Sequence, residues 1–433
     1  MSKILNIVLL IISIVYFLGG IFTILSIILE KIYLQKLSKV KTPKYRDIFV
    51  LLPALKEQKI VDSTINWFHK FKYKGNIKFI IITSEKEENE YKVNNIKEKT
   101  TNKVVERYLM KLDDNRFIHY HYPMINGNKS SQMNYAVDKI IKEFKIDKNN
   151  TYISVFDFDS KPELNTFDSL NIVANYKNNP DVINQVPLCF KNYEEFSKSF
   201  KKILLLLYTM HHTIRSCAIE KMKLLVCSLT NFKIPQYCMG ACMHIKLSTL
   251  LENEKFPIFV DDLTLGYRLS IKNATFIYLP SYNYTLIPNT VYSYMNSAVL
   301  IFKGISTYIT EIKRAKKNSI GKIKMFIAGT NNILVFTIVP WLIIYCYLYS
   351  LITLNFNLTF WLLLVIPYFW CIASYINLIY YGFYKDNKIN TFLAFLISPI
   401  WFFFRPFGFL IYLKRLIISK ISNSEIKYKK TER

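Results

Sequence analysis

The chain has 433 residues, 51% hydrophobic and 16% aromatic, enough for a sizeable soluble core plus several membrane spans. Its 57 Lys and Arg against 31 Asp and Glu leave a formal net charge of +26, concentrated beside apolar segments, which fits a membrane surface better than a nucleic-acid stripe. No nucleic-acid-binding motif is present, and the seven cysteines (189, 217, 227, 238, 242, 346, 371) form no close metal-type pairs, so they read as reduced, mostly buried thiols of a cytosolic compartment.

In chain order, residues 4–29 form one apolar run without charge, longer than the roughly 20 residues that span a bilayer. The run ends in Glu30-Lys31 without a small-residue cleavage site, which favours a span over a signal peptide. Lys31, Lys36, Lys39, Lys41, Lys44 and Arg46 follow, and the positive-inside rule places that side in the cytoplasm. Residues 1–44 are thus expected to be a transmembrane helix with a basic juxtamembrane segment.

Residues 45–290 alternate short apolar strands with helices. Strands are expected at 47–53, 77–82, 119–122 and 152–156, and a helix at 56–71. The order implies an α/β domain with a mostly parallel sheet, whose ligands bind beyond the carboxyl ends of the strands. Pro53, Thr83, Asp157 and Asp159 stand at those ends. Asp157-Phe158-Asp159 is the most informative of them: two carboxylates one residue apart can converge on one divalent cation, which then neutralises a diphosphate. A surface loop is the plainer reading of that pair taken alone. Asp261-Asp262 reads either as a helix-start acidic pair or as catalytic carboxylates. Cys238, Cys242 and His244 lack a fourth metal ligand at useful spacing.

Residues 291–325 are expected to lie at the membrane interface, an amphipathic stretch running into the basic cluster 313–317. The membrane region 326–418 holds apolar segments at 332–351, 360–381 and 392–413, the last two separated by the polar loop 384–388. The third contains Pro399, Arg405 and Pro406, which favours a broken or re-entrant segment over a full span and leaves the basic tail, 419–433, cytoplasmic.

Four elements in order resemble the membrane-integrated family 2 glycosyltransferases of GT-A type, which include the cellulose, chitin and hyaluronan synthase-like enzymes. Pro53-Ala54-Leu55-Lys56-Glu57 is similar to the stretch near the nucleotide base. Gly127-Asn128-Lys129, with Asn134 and Ala136, is similar to the helix start beside the diphosphate. Asp157-Phe158-Asp159-Ser160 resembles the metal-binding D-x-D. Asp261-Asp262-Leu263, continuing into Leu265-Gly266-Tyr267-Arg268-Leu269, resembles the element whose second acid is the general base.

The resemblance implies a GT-A-like nucleotide-sugar-binding domain between transmembrane helices. It implies a bacterial plasma-membrane enzyme whose catalytic domain faces the cytoplasm. The reaction implied is inverting transfer from a nucleotide-diphosphate sugar, a UDP-sugar above all, to a saccharide or lipid-linked acceptor. The residues carried over are Asp262 and Asp261 as catalytic acids, Asp157 and Asp159 as holders of Mg2+ or Mn2+, and Pro53, Ala54, Glu57, Thr83, Lys129, Asn134 and Asp157 around the nucleotide. Two departures stand out: the second strand ends in Thr83-Ser84-Glu85 where the family often carries an Asp against uracil, and residues 294–304 lack the Gln-x-x-Arg-Trp of processive members. A transporter and a non-catalytic scaffold of the same shape are the rival readings; the intact acids at 157, 159 and 262 weigh against the scaffold. Gly240, His211-His212, Tyr292, Tyr294 and Phe302 are further residues of interest near the acceptor path or the interface.

Overall fold

The computed structural model describes residues 3–188, 198, 200–258, 260–286, 288–316, 318–380 and 388–422. The chain forms two compact units, a sheet unit (Ile32–Pro187 with Val226–Thr285) and a helical unit (Met1–Lys31, Leu188–Leu225 and Leu286–Arg433).

The sheet unit is built on eight strands: β1 (Asp47–Pro53), β2 (Ile77–Ser84), β3 (Phe117–Tyr122), β4 (Thr151–Phe156), β5 (Lys161–Pro162), β6 (Val182–Leu188), β7 (Cys242–Lys246) and β8 (Phe276–Tyr284). Their order is β3-β2-β1-β4-β7-β6-β8-β5. The first four run parallel. The sheet is mixed, however, and not mostly parallel as expected, because β7 pairs antiparallel with β4 and β6, and β5 antiparallel with β8. The two halves differ in how the strands are joined. Helices Val61–His69, Glu85–Val93 with Thr101–Leu109, and Lys129–Glu143 carry the chain back between the parallel strands. β7 instead arrives after the excursion through residues 203–229 and returns in the opposite sense.

β1 and β2 are buried along nearly their whole length, as helix-covered parallel strands require. Phe68, Phe71, Phe79, Phe156 and Phe167 fill one face in edge and offset contacts. The helix expected over residues 56–71 begins later, as a 3-10 turn at Gln58–Ile60 and then Val61–His69. The delay has a local cause. Lys56 is left-handed (φ 57°), its N–H donates to the buried Glu87 carboxylate, and the Glu57 N–H donates to Thr101 Oγ1.

In the helical unit, the helix Lys3–Leu37 buries Leu9, Ser13, Tyr16, Gly20, Thr23, Ile27 and Glu30, a stripe at three- and four-residue spacing. Its remaining face is bare and apolar: Ile4, Ile7, Ile11, Ile14 and Val15 are all at least half exposed. Gly20 lets Phe369 lie directly against the helix, where Phe17 stacks on the same ring at 4.9 Å. Two segments, Lys3–Leu37 and Ser319–Thr353, are long and apolar enough to cross a bilayer. The second is two helices, Ser319–Phe336 and Ile338–Thr353, divided at Thr337, whose hydroxyl donates to the Ile333 carbonyl. The apolar segment expected at 332–351 is therefore the end of one helix and most of the next. A further helix spans Leu358–Tyr380. The last segment breaks at Pro399, with helix Lys388–Leu396, a 3-10 turn at Ser398–Ile400 and helix Trp401–Ile421, and it runs on through Pro406. Residues 384–387 of the expected polar loop, the Arg405 side chain and tail residues 423–433 lie outside the described residues.

The helical unit also buries charge. Lys221 Nζ lies 3.1 Å from Glu30 Oε2, and the nearby Ser26 hydroxyl donates to the Cys217 carbonyl. Removing one partner of a buried pair leaves the other charge unbalanced in low dielectric. Lys221→Met is expected to destabilise the protein by about 3–5 kcal/mol, and Glu30→Leu combined with Lys221→Met to recover most of that loss. Thermal unfolding of the detergent-purified variants checks this; a double variant no better than the single one contradicts it.

Candidate active site

Three chain segments meet at the carboxyl end of β4. The first is the start of the helix Lys129–Glu143, capped by Asn128, whose side-chain oxygen accepts from the Ser131 N–H at 2.9 Å. Lys129 is its first residue, and Nζ donates to Asp157 Oδ1 at 2.7 Å and to the Gly240 carbonyl at 3.3 Å. The second is the turn after β4, closed by the Ser160 N–H on the Asp157 carbonyl, in which Asp159 is 8% exposed. The third is the stretch around Gly240 and Ala241 that enters β7, and Asn283 ties it to this turn by donating to Ser160 Oγ and to the Ala241 carbonyl.

Asp261 and Asp262 open the helix Asp261–Ile271. Asp262 Oδ1 accepts the Leu263 N–H at 2.7 Å, and the Asp262 carbonyl accepts from Cys238. Two glycines make this approach feasible. A Cβ on Gly240 would lie 2.3 Å from Asp262 Oδ2, and one on Gly266 would lie 2.3 Å from the Tyr237 Cα. Asp261 Oδ2 is buried with no hydrogen-bond partner.

The charges here are not balanced. Burial pushes the Asp262 carboxyl up to about 7, and the neighbouring Asp261 charge adds to the shift. Asp261 is raised as well, by burial first and then by Asp157, against the pull of Lys129. Burial alone would lower the Lys129 ammonium, but Asp157, Asp261 and Asp262 together hold it above its ordinary value.

The segment just before the acid pair is irregular. Ile258 is a bend, Val260 is left-handed at φ 45°, and Phe259 lies outside the described residues. Side chains hold this loop instead. The Asn134 amide binds the Phe256 backbone at both ends, 2.8 and 2.9 Å, and Asn128 Nδ2 donates to the Ile258 carbonyl. Arg268 Nη1 donates to the Asn253 carbonyl. Asn134, expected beside the diphosphate, thus braces the loop that leads to Asp261.

Pro53, Ala54, Glu57 and Thr83 lie at the ends of β1 and β2, on the neighbouring strands. The Ala54 N–H donates to the Ile82 carbonyl. Thr83 Oγ1 is at the centre of a polar group that motif reading missed: it lies 2.8 Å from His119 Nε2, 2.9 Å from His121 Nδ1 and 3.0 Å from Asn102 Oδ1. His121 Nε2 is 3.0 Å from Glu85 Oε2. Burial and the neighbouring His121 depress His119 to about 4. The only signal in the sequence was His119-Tyr120-His121, two histidines on one side of a strand. Cys242 and His244 are engaged internally, with the Gln185 carbonyl and Ser154. Phe302 is buried and packs on Phe409, so it offers no open stacking face; the side chains of His211 and Tyr294 lie outside the described residues.

No protein-family model and no curated protein sequence matches the chain. In structure it is similar to the mannosyltransferase PcManGT from Pyrobaculum calidifontis in complex with GDP-Man and Mn2+, with a TM-score of 0.50 and 11% identity over 97% of this chain and 100% of that one. The likeness is one of fold: the chain shares the overall architecture of that enzyme.

A carboxyl raised from the unfolded value of about 4 to about 7 binds its proton more tightly when folded. Its contribution to stability is therefore full below about pH 4 and lost as pH rises through about 7. Asp262→Asn is expected to raise the melting temperature at pH 8 by roughly 3 °C or more and to change it much less at pH 4. An equal shift at both pH values contradicts the assignment.

Proposed function

We propose that the protein is a membrane-integrated, inverting family 2 glycosyltransferase with a GT-A-type domain, moving a sugar from a nucleotide-diphosphate donor to a saccharide or lipid-linked acceptor. The observation that carries this reading is the placement of Lys129 between Asp157 and the Gly240 carbonyl, with the Asp261-Asp262 pair close enough to raise its proton affinity. A fixed cation for a diphosphate and a carboxylate of raised proton affinity are the two groups that sugar transfer needs.

The residues also fit a divalent cation. One ammonium faces Asp157, Asp261 and Asp262, and a buried oxygen of Asp261 has no hydrogen-bond partner. Among the described residues, no three His, Cys, Asp or Glu side chains form a metal cluster by themselves, and a cation held here would need further ligands from the diphosphate. Asp157 and Asp159 are the residues to hold Mg2+ or Mn2+. Bound there, the metal would supply positive charge to the departing diphosphate.

The chain's own groups account for the remaining steps. Lys129 holds the diphosphate at the start of its helix, where backbone N–H groups add positive potential. Asp262 takes the proton of the acceptor hydroxyl as that oxygen attacks the anomeric carbon and the nucleotide leaves from the opposite face. One base and no second nucleophile gives inversion. Because Asp262 must be deprotonated, turnover should rise with pH through about 7. The sequence resemblance implies a UDP-sugar, whereas the structural neighbour holds GDP-Man, so the base is a question for the donor panel. The bare apolar face of Lys3–Leu37, followed by the basic residues 31–46, supports a membrane-held enzyme with its catalytic unit in the cytoplasm.

Detergent-purified protein given UDP-, GDP- and CMP-sugars with Mg2+ or Mn2+ is expected to release nucleotide from one donor class and to stop in EDTA. Asp159→Ala should abolish transfer. Asp262→Asn should keep donor affinity and lose about 10²–10⁴-fold in turnover, with a milder defect for Asp261→Asn. Full activity in EDTA, or full activity of Asp159→Ala, would reject the metal assignment, and an active Asp262→Asn beside a dead Asp261→Asn would move the base to Asp261.

A further inference from the structure

The helix Val291–Arg314 ends in a short connection to the helix Ser319–Phe336. The two lie side by side: Tyr308 donates to or accepts from Thr330 at 3.1 Å, packs on Phe326, and would collide with any side chain at Gly329. The tip of this hairpin is strongly basic. Lys313, Arg314, Lys316 and Lys324 are exposed and Lys322 is half-buried, while Glu311, the one acid in the sequence between 305 and 330, is buried. The basic tip does not stand alone. Ile320, Ile323 and Ile327 are 59–66% exposed, and with Lys324 they share one face of the second helix at three- and four-residue spacing. That helix begins the segment Ser319–Thr353, which is long and apolar enough to cross a bilayer.

We infer that this hairpin tip is a docking surface for anionic lipid headgroups. A solvated charge run is the ordinary explanation of clustered lysines, but it does not account for bare isoleucines around Lys324. A nucleic acid gains nothing from that apolar face either. A bilayer edge satisfies both features together: isoleucines enter the acyl boundary, and the lysine stems lie along them with their ammonium groups at headgroup level. Clustered Lys and Arg beside the end of an apolar span then attract negative headgroups, at about five-fold per charge. The tip would select anionic over zwitterionic lipid around this corner of the enzyme.

The inference rests on the membrane reading proposed above, and the test separates the two. Full-length wild type and a Lys313→Gln/Lys316→Gln/Lys324→Gln variant are placed in vesicles of phosphatidylcholine with a minor fraction of phosphatidylglycerol. Alkaline extraction reports insertion, and native mass spectrometry of the released protein reports retained lipid. The wild type is expected to resist extraction and to retain phosphatidylglycerol in excess of its bulk fraction. The variant is expected to insert equally well and to lose that excess by about tenfold or more. Lys→Arg at the same three positions should keep it, and excess inorganic phosphate should not displace the lipid. Inserted wild type with no phosphatidylglycerol excess, or the same excess in the Gln variant, overturns the inference alone. Displacement by free phosphate, or tighter capture of RNA at these lysines, overturns it in favour of a different ligand. Wild type released by alkali overturns the membrane reading and this inference with it.

Discussion

The site is organised by one ammonium set among several carboxylates. Lys129 stands at the first position of a helix, where the backbone dipole opposes a cation. Burial opposes it further. It stays charged because Asp157 is 2.7 Å away and Asp261 and Asp262 lie nearby. The reverse also holds: without Lys129, nothing on that side would offset the repulsion that Asp157 already adds to an acid pair raised first by burial. The folded positions of β4, of the Lys129–Glu143 helix and of the Asp261–Ile271 helix are therefore electrostatically interdependent. Gly240 belongs to the same arrangement, since its carbonyl accepts from Lys129 while its missing side chain leaves room for the Asp262 carboxyl.

The loop that delivers the acids is held by polar side chains and not by a strand ladder. Asn134 binds the N–H and the carbonyl of Phe256, Asn128 the carbonyl of Ile258, and Arg268 the carbonyl of Asn253. Both asparagines belong to the helix that also presents Lys129. The position of the acid pair relative to the ammonium is thus set through a single rigid element, a short mechanical path that resists drift between the two charged centres.

This division explains what the sequence made legible. β1, β2 and β4 were readable because helices cover both their faces, which makes them unbroken apolar runs. β6, β7 and β8 were not, because they carry buried polar residues that pair internally: Asn184 with the 237–239 backbone, Gln185 with Thr166 and Ser281, His244 with Ser154. Such residues break any hydrophobic period, so the antiparallel half of the sheet was invisible. Lys129, Asp157, Asp261 and Asp262 were singled out by motif order, and the fold brings them together. The bracing role of Asn134, the closeness of Gly240 and the Thr83–His119–His121 group depend on distances between segments far apart in the chain, which no local pattern encodes.

Three liabilities of the sheet unit stand at consecutive positions. Val260, a β-branched residue, is held in the left-handed region directly before the acid pair, a conformation that such residues rarely adopt. Asp261 Oδ2 is buried without a hydrogen bond, and Asp262 is kept in surroundings that resist its charge. Two other carboxylates of the unit are hydrogen-bonded: Glu87 accepts from Lys56, Gln58 and Thr101, and Asp181 from Thr249 and Thr275. If the acid pair served only to start a helix, exposed carboxylates would stabilise that end at less cost than buried ones. Backbone strain, an unmatched oxygen and a raised carboxyl at consecutive positions instead mark a segment held in an unfavourable state by the structure around it, as a group must be that is to give or take a proton near neutral pH.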